Sequence, residues 1–146
     1  MVMTLHLDIV SVEEKIYSDL VEHLTVAGQE GGLGIFPGHT PLLTGIKPGE
    51  VIITKQGGEK DVFYISGGML EVQPETATIL ADTVIRAEDI DQEAAKEAME
   101  KAQANYDNKK KSKADFEKAY IELQEASAKL RAVRDLAKYL NKHSVD

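Results

Sequence analysis

Four histidines are the side chains in this sequence best suited to bind a metal ion or to act as a general base near neutral pH. They are His6, His23, His39 and His143, and no pair has the HExxH spacing or another spacing typical of zinc ligands. His6 and His23 lie in strand-like patterns, where a solvent-facing side chain is the simplest interpretation. Only His39 lies in a segment rich in Gly and Pro, a context typical of contact residues. We therefore expect no metal site and keep His39 as a contact candidate.

A second candidate for chemistry is the glycine-rich segment 31–38, because such loops can bind phosphate. A dinucleotide-binding loop has the pattern GxGxxG and leads directly into a helix. Here the glycine spacing differs, and Pro37 and Pro41 oppose a helix. The segment is therefore predicted to be a turn-forming loop and not a nucleotide site.

Catalytic patterns are the third possibility. Neither a nucleophile paired with a base nor a pair of carboxylates in contrasting environments can be identified. The absence of cysteine excludes thiolate catalysis, disulfides and cysteine-ligated metals. We expect a protein without catalytic residues of its own. A small hydrolase that uses His39 with an Asp or Glu is the weaker alternative.

Charge and hydropathy limit the partners of the chain. Its 146 residues carry a net charge of −8, which disfavours nucleic acid because affinity for phosphate backbones comes largely from clustered Lys and Arg. The longest apolar runs have three or four residues, whereas a membrane-spanning helix needs about 20. Hydrophobic residues make up 42% of the chain, enough for a packed core. We expect a globular cytoplasmic protein with no nucleic-acid partner and no direct membrane insertion.

Glycine and proline are confined to the first part of the chain. All eleven glycines lie between Gly28 and Gly68, and the last of the four prolines is Pro74. Because these residues mark turns and interrupt helices, their distribution predicts a β region followed by a helical region. The net charge of −8 also falls within residues 1–84, and residues 85–146 are neutral overall. We place the boundary near residues 86–88, which gives domains 1–87 and 88–146.

Alternating polarity predicts strands in the first domain. Leu5, Leu7 and Ile9 alternate with polar residues, which places one face of a strand in the core. Two further apolar runs flank the pair Gly57-Gly58 and predict a β-hairpin. Many short strands separated by turn signals are typical of an antiparallel sandwich or barrel.

Two helices are predicted in the second domain. Asp89 or Asp91 can cap the first helix. Its apolar stripe consists of mostly small residues, which are Ala94, Ala98 and Ala102 together with Ala95, Met99 and Tyr106. Ser112 and Asp115 resemble a capping box for a longer amphipathic helix. Helices joined by a short polar loop lie antiparallel. The predicted fold class is α+β, an antiparallel β-sandwich followed by a two-helix hairpin.

Three ordered motifs resemble the epsilon subunit of bacterial F-type ATP synthases, and the resemblance covers essentially the whole chain. The motifs are GIFPGHTPLLT at 34–44, SGGMLEV at 66–72 and RAEDID at 86–91. The resemblance implies a sandwich of about ten strands and a helical hairpin. It also implies a non-catalytic rotor subunit of the central stalk, active in ATP synthesis and ion transport, peripheral to the cytoplasmic face of the bacterial cell membrane. The coupling ion can be the proton or sodium.

The resemblance further implies a contact loop for the gamma subunit and the ring of c subunits. A purely structural turn is the alternative role of this loop. The residues that match the family segment are His39, Thr40, Pro41 and Leu43.

The helical hairpin is similar to a regulatory arm that extends into the alpha/beta catalytic head and inhibits ATP hydrolysis. Cations of the last helix would contact the head, and their alternative role is solubility. These cations are Lys129, Arg131, Arg134 and Lys138.

Some relatives bind ATP at the hairpin through an Ile/Leu-Asp-x-x-Arg-Ala motif, whose arginine binds phosphate. Here the segment is IDQEAA, and Ala94 replaces that arginine beside Glu93. We expect no cofactor, and weak or absent ATP binding. An alternative from another functional class is a free-standing adaptor whose helical arm binds a different helical partner.

Overall fold

The computed structural model of the chain describes residues 3–28, 30–108 and 110–144, with side chains as far as residue 140. Its strands are β1 (Leu5–Ser11), β2 (Lys15–Gly28), β3 (Gly31–Ile35), β4 (Leu42–Ile46), β5 (Gly49–Lys55), β6 (Lys60–Ile65), β7 (Gly68–Val72), β8 (Thr76–Ala81) and β9 (Val84–Arg86). A single 3-10 turn, Ala87–Asp89, precedes the helices α1 (Gln92–Asp107) and α2 (Lys113–Ser144). None of the helices in these ranges is long and apolar enough to cross a membrane.

The strands form a β-sandwich in which β2 belongs to both layers. The first half of β2 pairs with β1, its second half pairs with β3 and β5, and a register shift between Val21 and His23 lies between the halves. One layer continues from β1 through β8 and β7 to β4, and the other continues from β5 through β6 to β9. Among the described strands only β1 and β8 pair in parallel. The predicted fold class is confirmed, with nine described strands where about ten were expected.

Alternating strand residues build the core between the two layers. Leu5, Leu7 and Ile9 are each at most 1% exposed, as their spacing predicted. The predicted hairpin is also present, since Gly57 and Gly58 connect β5 to β6 with φ angles of 104° and 95° that glycine adopts without strain. All buried members of this core lie between residues 5 and 81, so the core closes without the helices.

The two helices pack against each other in opposite directions. Tyr106, at the end of α1, packs against Phe116 at the start of α2 with a centroid distance of 4.9 Å and the two rings tilted by 37°. Further along, the Ser127 hydroxyl donates to the Met99 sulfur at 3.1 Å. Because late α1 residues meet early α2 residues, the helices form the predicted antiparallel hairpin.

Both helix starts are capped by side chains. The Asp91 carboxylate accepts from the Glu93 and Ala94 N–H groups at 3.0 and 3.3 Å, so Asp91 is the cap of α1 and Asp89 is not. The Ser112 hydroxyl oxygen accepts from the Asp115 N–H at 3.2 Å. These bonds satisfy N–H groups that would otherwise lack partners in the first turn of each helix.

The face that α1 turns toward α2 is one part of the predicted stripe, namely Ala95, Met99, Ala102 and Tyr106. Ala95 and Ala102 are buried, whereas Ala94 and Ala98 are exposed. A stripe at strict four-residue steps rotates around the helix, because each turn takes 3.6 residues. The contacting face therefore follows steps of about 3.5 residues, as in paired helices.

Candidate functional site

The contact loop, residues 36–41, joins β3 to β4 at one edge of the sandwich. The Gly38 N–H ties it to the turn between β7 and β8 by donating to the Pro74 carbonyl at 2.8 Å. The φ angle of Gly38 is 82°, a conformation that favours glycine. His39 Nδ1 lies 2.6 Å from the Thr40 carbonyl. Because a carbonyl only accepts, the neutral ring carries its proton on Nδ1 and presents Nε2 as an acceptor.

The predicted loop contacts lie close together but differ in exposure. His39 is half-buried, whereas Thr40, Pro41 and Leu43 are exposed. Leu43 is the second residue of β4, where it pairs with Glu71 of β7. The structure thus brings all four residues to one edge and leaves three of them open to a partner.

Leu43 belongs to an apolar patch on the outer face of the sandwich, which we define by Val12, Leu43, Met69 and Leu80. These side chains are 78%, 68%, 44% and 55% exposed. Met69 lies opposite Leu80 and opposite Gly45, two residues from Leu43 on the same strand. Residues two apart share a face, so Leu43 is a diagonal neighbour of Met69. Contiguous exposed apolar side chains are typical of protein-binding surfaces.

A groove of about 600 Å³ crosses the apolar patch. Its wall includes Pro48, Gly67 and Gly68, and Met69 and Leu80 line it as well. A Cβ on Gly68 would collide with the Leu80 carbonyl, so this close approach of β7 and β8 needs glycine. The SGGM segment therefore shapes the patch.

The cations of α2 do not form one cluster. Lys129 is half-buried, and its Nζ lies 5.2 Å above the centre of the Tyr64 ring. Arg131, Arg134 and Lys138 are exposed, and their spacing places them on one side of the helix. Three of the four predicted arm contacts thus share a solvent-facing surface, while Lys129 packs on the sandwich.

Small side chains dock α2 on the outer face of β5 and β6. Ala128 and Ala132 are each 0% exposed and pack in one cluster with Val62 and Tyr64. We call this contact the docking interface. Burial of the Tyr64 ring raises its pKa to about 12. Leu136 and Tyr139 of α2 also pack against this cluster but are only partly buried. Because the fully buried α2 side chains here are alanines, which bury little apolar area, they contribute less to docking than buried leucines would.

A pair of carboxyl groups lies at the edge of the docking interface. Glu50, the second residue of β5, faces Asp135 of α2, and Glu50 Oε2 is buried without a hydrogen-bond partner among the described residues. Burial first, and then the nearby Asp135, raises the pKa of Glu50 to about 8, while Arg131 opposes the shift. The sequence alone gave no sign of this site. Asp135 is far from Glu50 along the chain, and the two residues come together only when α2 packs on the outer face of β5.

His6 and His23 form hydrogen bonds between strands of the sandwich. His6 Nε2 bonds the Ser18 hydroxyl at 3.0 Å, and His23 Nε2 bonds the Thr54 hydroxyl at 3.0 Å. His23 is half-buried and so faces solvent only in part, because the Phe36 ring stacks on it at 4.8 Å. Burial, reinforced by Lys60, lowers the pKa of His23. The side chain of His143 lies outside the described residues.

Within residues 3–28, 30–108 and 110–140, no group of three or more His, Asp or Glu side chains is arranged to hold a metal ion.

The glycine-rich segment, predicted to be a turn-forming loop, is a strand over residues 31–35, because β3 pairs with the second half of β2. The segment IDQEAA provides the cap and first turn of α1, where Ala94 is exposed. ATP binding by this segment stays a prediction.

Two family models match the chain in sequence order. The beta-sandwich domain of the ATP synthase delta/epsilon chain matches residues 4–87. The long alpha-helix domain of the same chain type matches residues 88–134.

Two solved structures have the same fold. One is a chain of the Euglena gracilis mitochondrial ATP synthase, from a cryo-EM structure of OSCP/F1/c-ring in rotational state 1. It is 26% identical with a TM-score of 0.77, over 86% of this chain and 78% of that one. The other comes from the central stalk/c-ring of the Tetrahymena thermophila mitochondrial ATP synthase. It is 14% identical with a TM-score of 0.62, over 90% of this chain and 97% of that one, and supports the fold alone. Because the two family models match in order and together cover most of the chain, the chain belongs to the ATP synthase delta/epsilon chain family.

Proposed function

We propose that this chain is a rotor subunit without catalytic residues, which links the gamma subunit to the c-ring and inhibits ATP hydrolysis with its helical hairpin. The family assignment supports the stalk location. The similar Euglena chain comes from an assembly of OSCP, F1 and c-ring, which supports equivalent surroundings for this chain. We place it at the cytoplasmic face of the bacterial cell membrane as a peripheral subunit, bound through protein partners.

The continuous surface made by the contact loop and the apolar patch carries the coupling proposal. The bond between Gly38 and Pro74 fixes the loop beside the strands that hold Met69 and Leu80. The loop offers a polar acceptor at His39 for the c-ring, and the patch offers apolar area for gamma. A subunit that transmits torque needs both contacts on one rigid body, which the shared sheet provides.

The coupling proposal is tested with Met69→Glu combined with Leu80→Glu. Both side chains are exposed, so the charges cost little in the free chain. In the complex they would be buried without partners, which typically costs several kcal/mol for each charge. We expect the variant to fold but to lose co-purification with gamma and the c-ring. Ile121→Glu is the matched control, because Ile121 is 50% exposed on α2. Co-purification at the wild-type level would contradict the role of the patch.

The docking interface carries the inhibition proposal. A regulatory arm needs a docked state and an extended state that differ by only a few kcal/mol. The fully buried α2 side chains in this cluster are Ala128 and Ala132, and Leu136 and Tyr139 add partly buried contacts, so the docked helix gains a modest apolar area that suits a helix able to leave the sandwich. Arg131, Arg134 and Lys138 already face solvent and stay available for acidic groups of the alpha/beta head.

A further inference from the structure

The carboxyl pair of the docking interface has no role in the proposed function. Glu50 occupies the outer face of β5, where Ile52 also points toward α2. Its Oε2 atom is sealed from water and lacks a hydrogen-bond partner among the described residues. A protein structure rarely keeps a buried carboxylate oxygen unbonded, so a proton shared with a neighbouring carboxyl group accounts best for this arrangement.

The groups around Glu50 come from three elements. Helix α2 contributes Asp135, Arg131 and Tyr139, and burial together with both acids raises the pKa of Tyr139. Strand β6 places Tyr64 opposite Glu50. Lys47, in the turn before β5, lines a groove together with Arg131. The Arg131 side chain is exposed to water. Since Arg131 is solvated, it weakens but does not cancel the repulsion between the two acids.

We propose that Glu50 and Asp135 form a proton-operated latch, in which a shared proton holds α2 on the sandwich and loss of that proton releases the arm. When the proton is present, one carboxyl group donates a hydrogen bond to the other across the docking interface. When it is absent, two negative charges face each other in a partly buried site. Release of α2 separates the charges and exposes both to water.

The sign of the pH dependence follows from linkage. The pKa of Glu50 is raised from 4.5 to about 8 while α2 is docked, and it returns toward 4.5 on the open sheet face. Docking therefore takes up a proton. Its equilibrium constant falls as pH rises from 4.5 to the docked pKa of about 8 and changes little above that value. A full shift of this size would weaken docking about 100-fold between pH 6 and 9, and half-exposure of the pair reduces our expectation to about tenfold.

The latch is tested in the full-length chain by hydrogen exchange of α2 residues 123–140, measured by mass spectrometry. The wild-type rate is divided by the Glu50→Gln rate at each pH, which cancels the intrinsic pH dependence of exchange. The amide of the Glu50→Gln variant has no proton to lose in this range, so we expect the ratio to rise about tenfold between pH 6 and pH 9. Glu59→Gln, in the exposed turn of the same β-hairpin, should match the wild type at every pH.

A ratio that is constant from pH 6 to pH 9 would overturn the latch. As a second variant, Asp135→Asn should keep α2 docked to higher pH than the wild type, because its amide can donate to the Glu50 carboxylate. Earlier release in Asp135→Asn would also overturn the proposal. The latch rests on the proposed mobile arm, but its test measures docking alone. A failed latch therefore leaves the effect of the arm on ATP hydrolysis to be decided separately.

Discussion

Ala132→Leu changes the docking interface and predicts a measurable gain of inhibition. Ala132 is 0% exposed and packs in a cluster with Val62 and Tyr64, so the three added carbons have no space while α2 is docked. Overpacking a close contact costs about 1–3 kcal/mol, which weakens docking about 5- to 150-fold. The helix itself is unaffected, because leucine has nearly the helix propensity of alanine. The sandwich core contains none of these α2 atoms and should keep its thermal stability.

The assay combines hydrogen exchange of α2 with ATP hydrolysis by the reconstituted complex. Hydrogen exchange of residues 123–140 should accelerate about 5- to 150-fold. ATP hydrolysis should fall, because the extended arm is more populated. Ala137→Leu is the matched control, since Ala137 lies on the exposed side of the same helix. Faster exchange without lower hydrolysis would refute the link between release and inhibition. Unchanged exchange would refute the packing argument.

Two further predictions concern the charges of the hairpin and its nucleotide chemistry. Replacing Arg131, Arg134 and Lys138 by alanine should raise hydrolysis by the complex severalfold, because a cluster of cations steers the arm although single exposed pairs are weak. Removal of the exposed Lys96 and Lys118 should leave the rate unchanged, and the same rise in both variants would argue against specific contacts. Titration calorimetry of the isolated chain with ATP should detect no sub-millimolar binding, because the hairpin lacks the phosphate-binding arginine of ATP-binding relatives. A clear binding isotherm would contradict this expectation.

Local patterns predicted the elements of this fold well. Gly57-Gly58 placed the β5–β6 hairpin, Asp91 was one of two predicted caps, and Ser112 preceded α2 as expected. These signals act within a few residues, so the sequence contains them directly. The contact face of α1 was harder to predict, because several alanines offered alternative stripes and only packing against α2 selects one.

The candidate sites depend on contacts between distant segments. Met69 and Leu80 each occupy an outward position where alternation favours a polar residue, and this exception was the available signal for the apolar patch. His23 was assigned to solvent because nothing local indicates that Phe36 covers it. Glu50 looked like an ordinary exposed acid beside Val51. Its burial arises from the return of α2, which no short window of sequence contains.

The most direct test of an inhibitory rotor subunit compares ATP hydrolysis by the catalytic complex reconstituted with the full chain and with residues 1–87. The sandwich closes its core without the hairpin, so the truncated chain should fold and occupy the complex equally, and matched occupancy is verified before rates are compared. We predict faster hydrolysis with residues 1–87. An equal or lower rate would contradict an inhibitory arm.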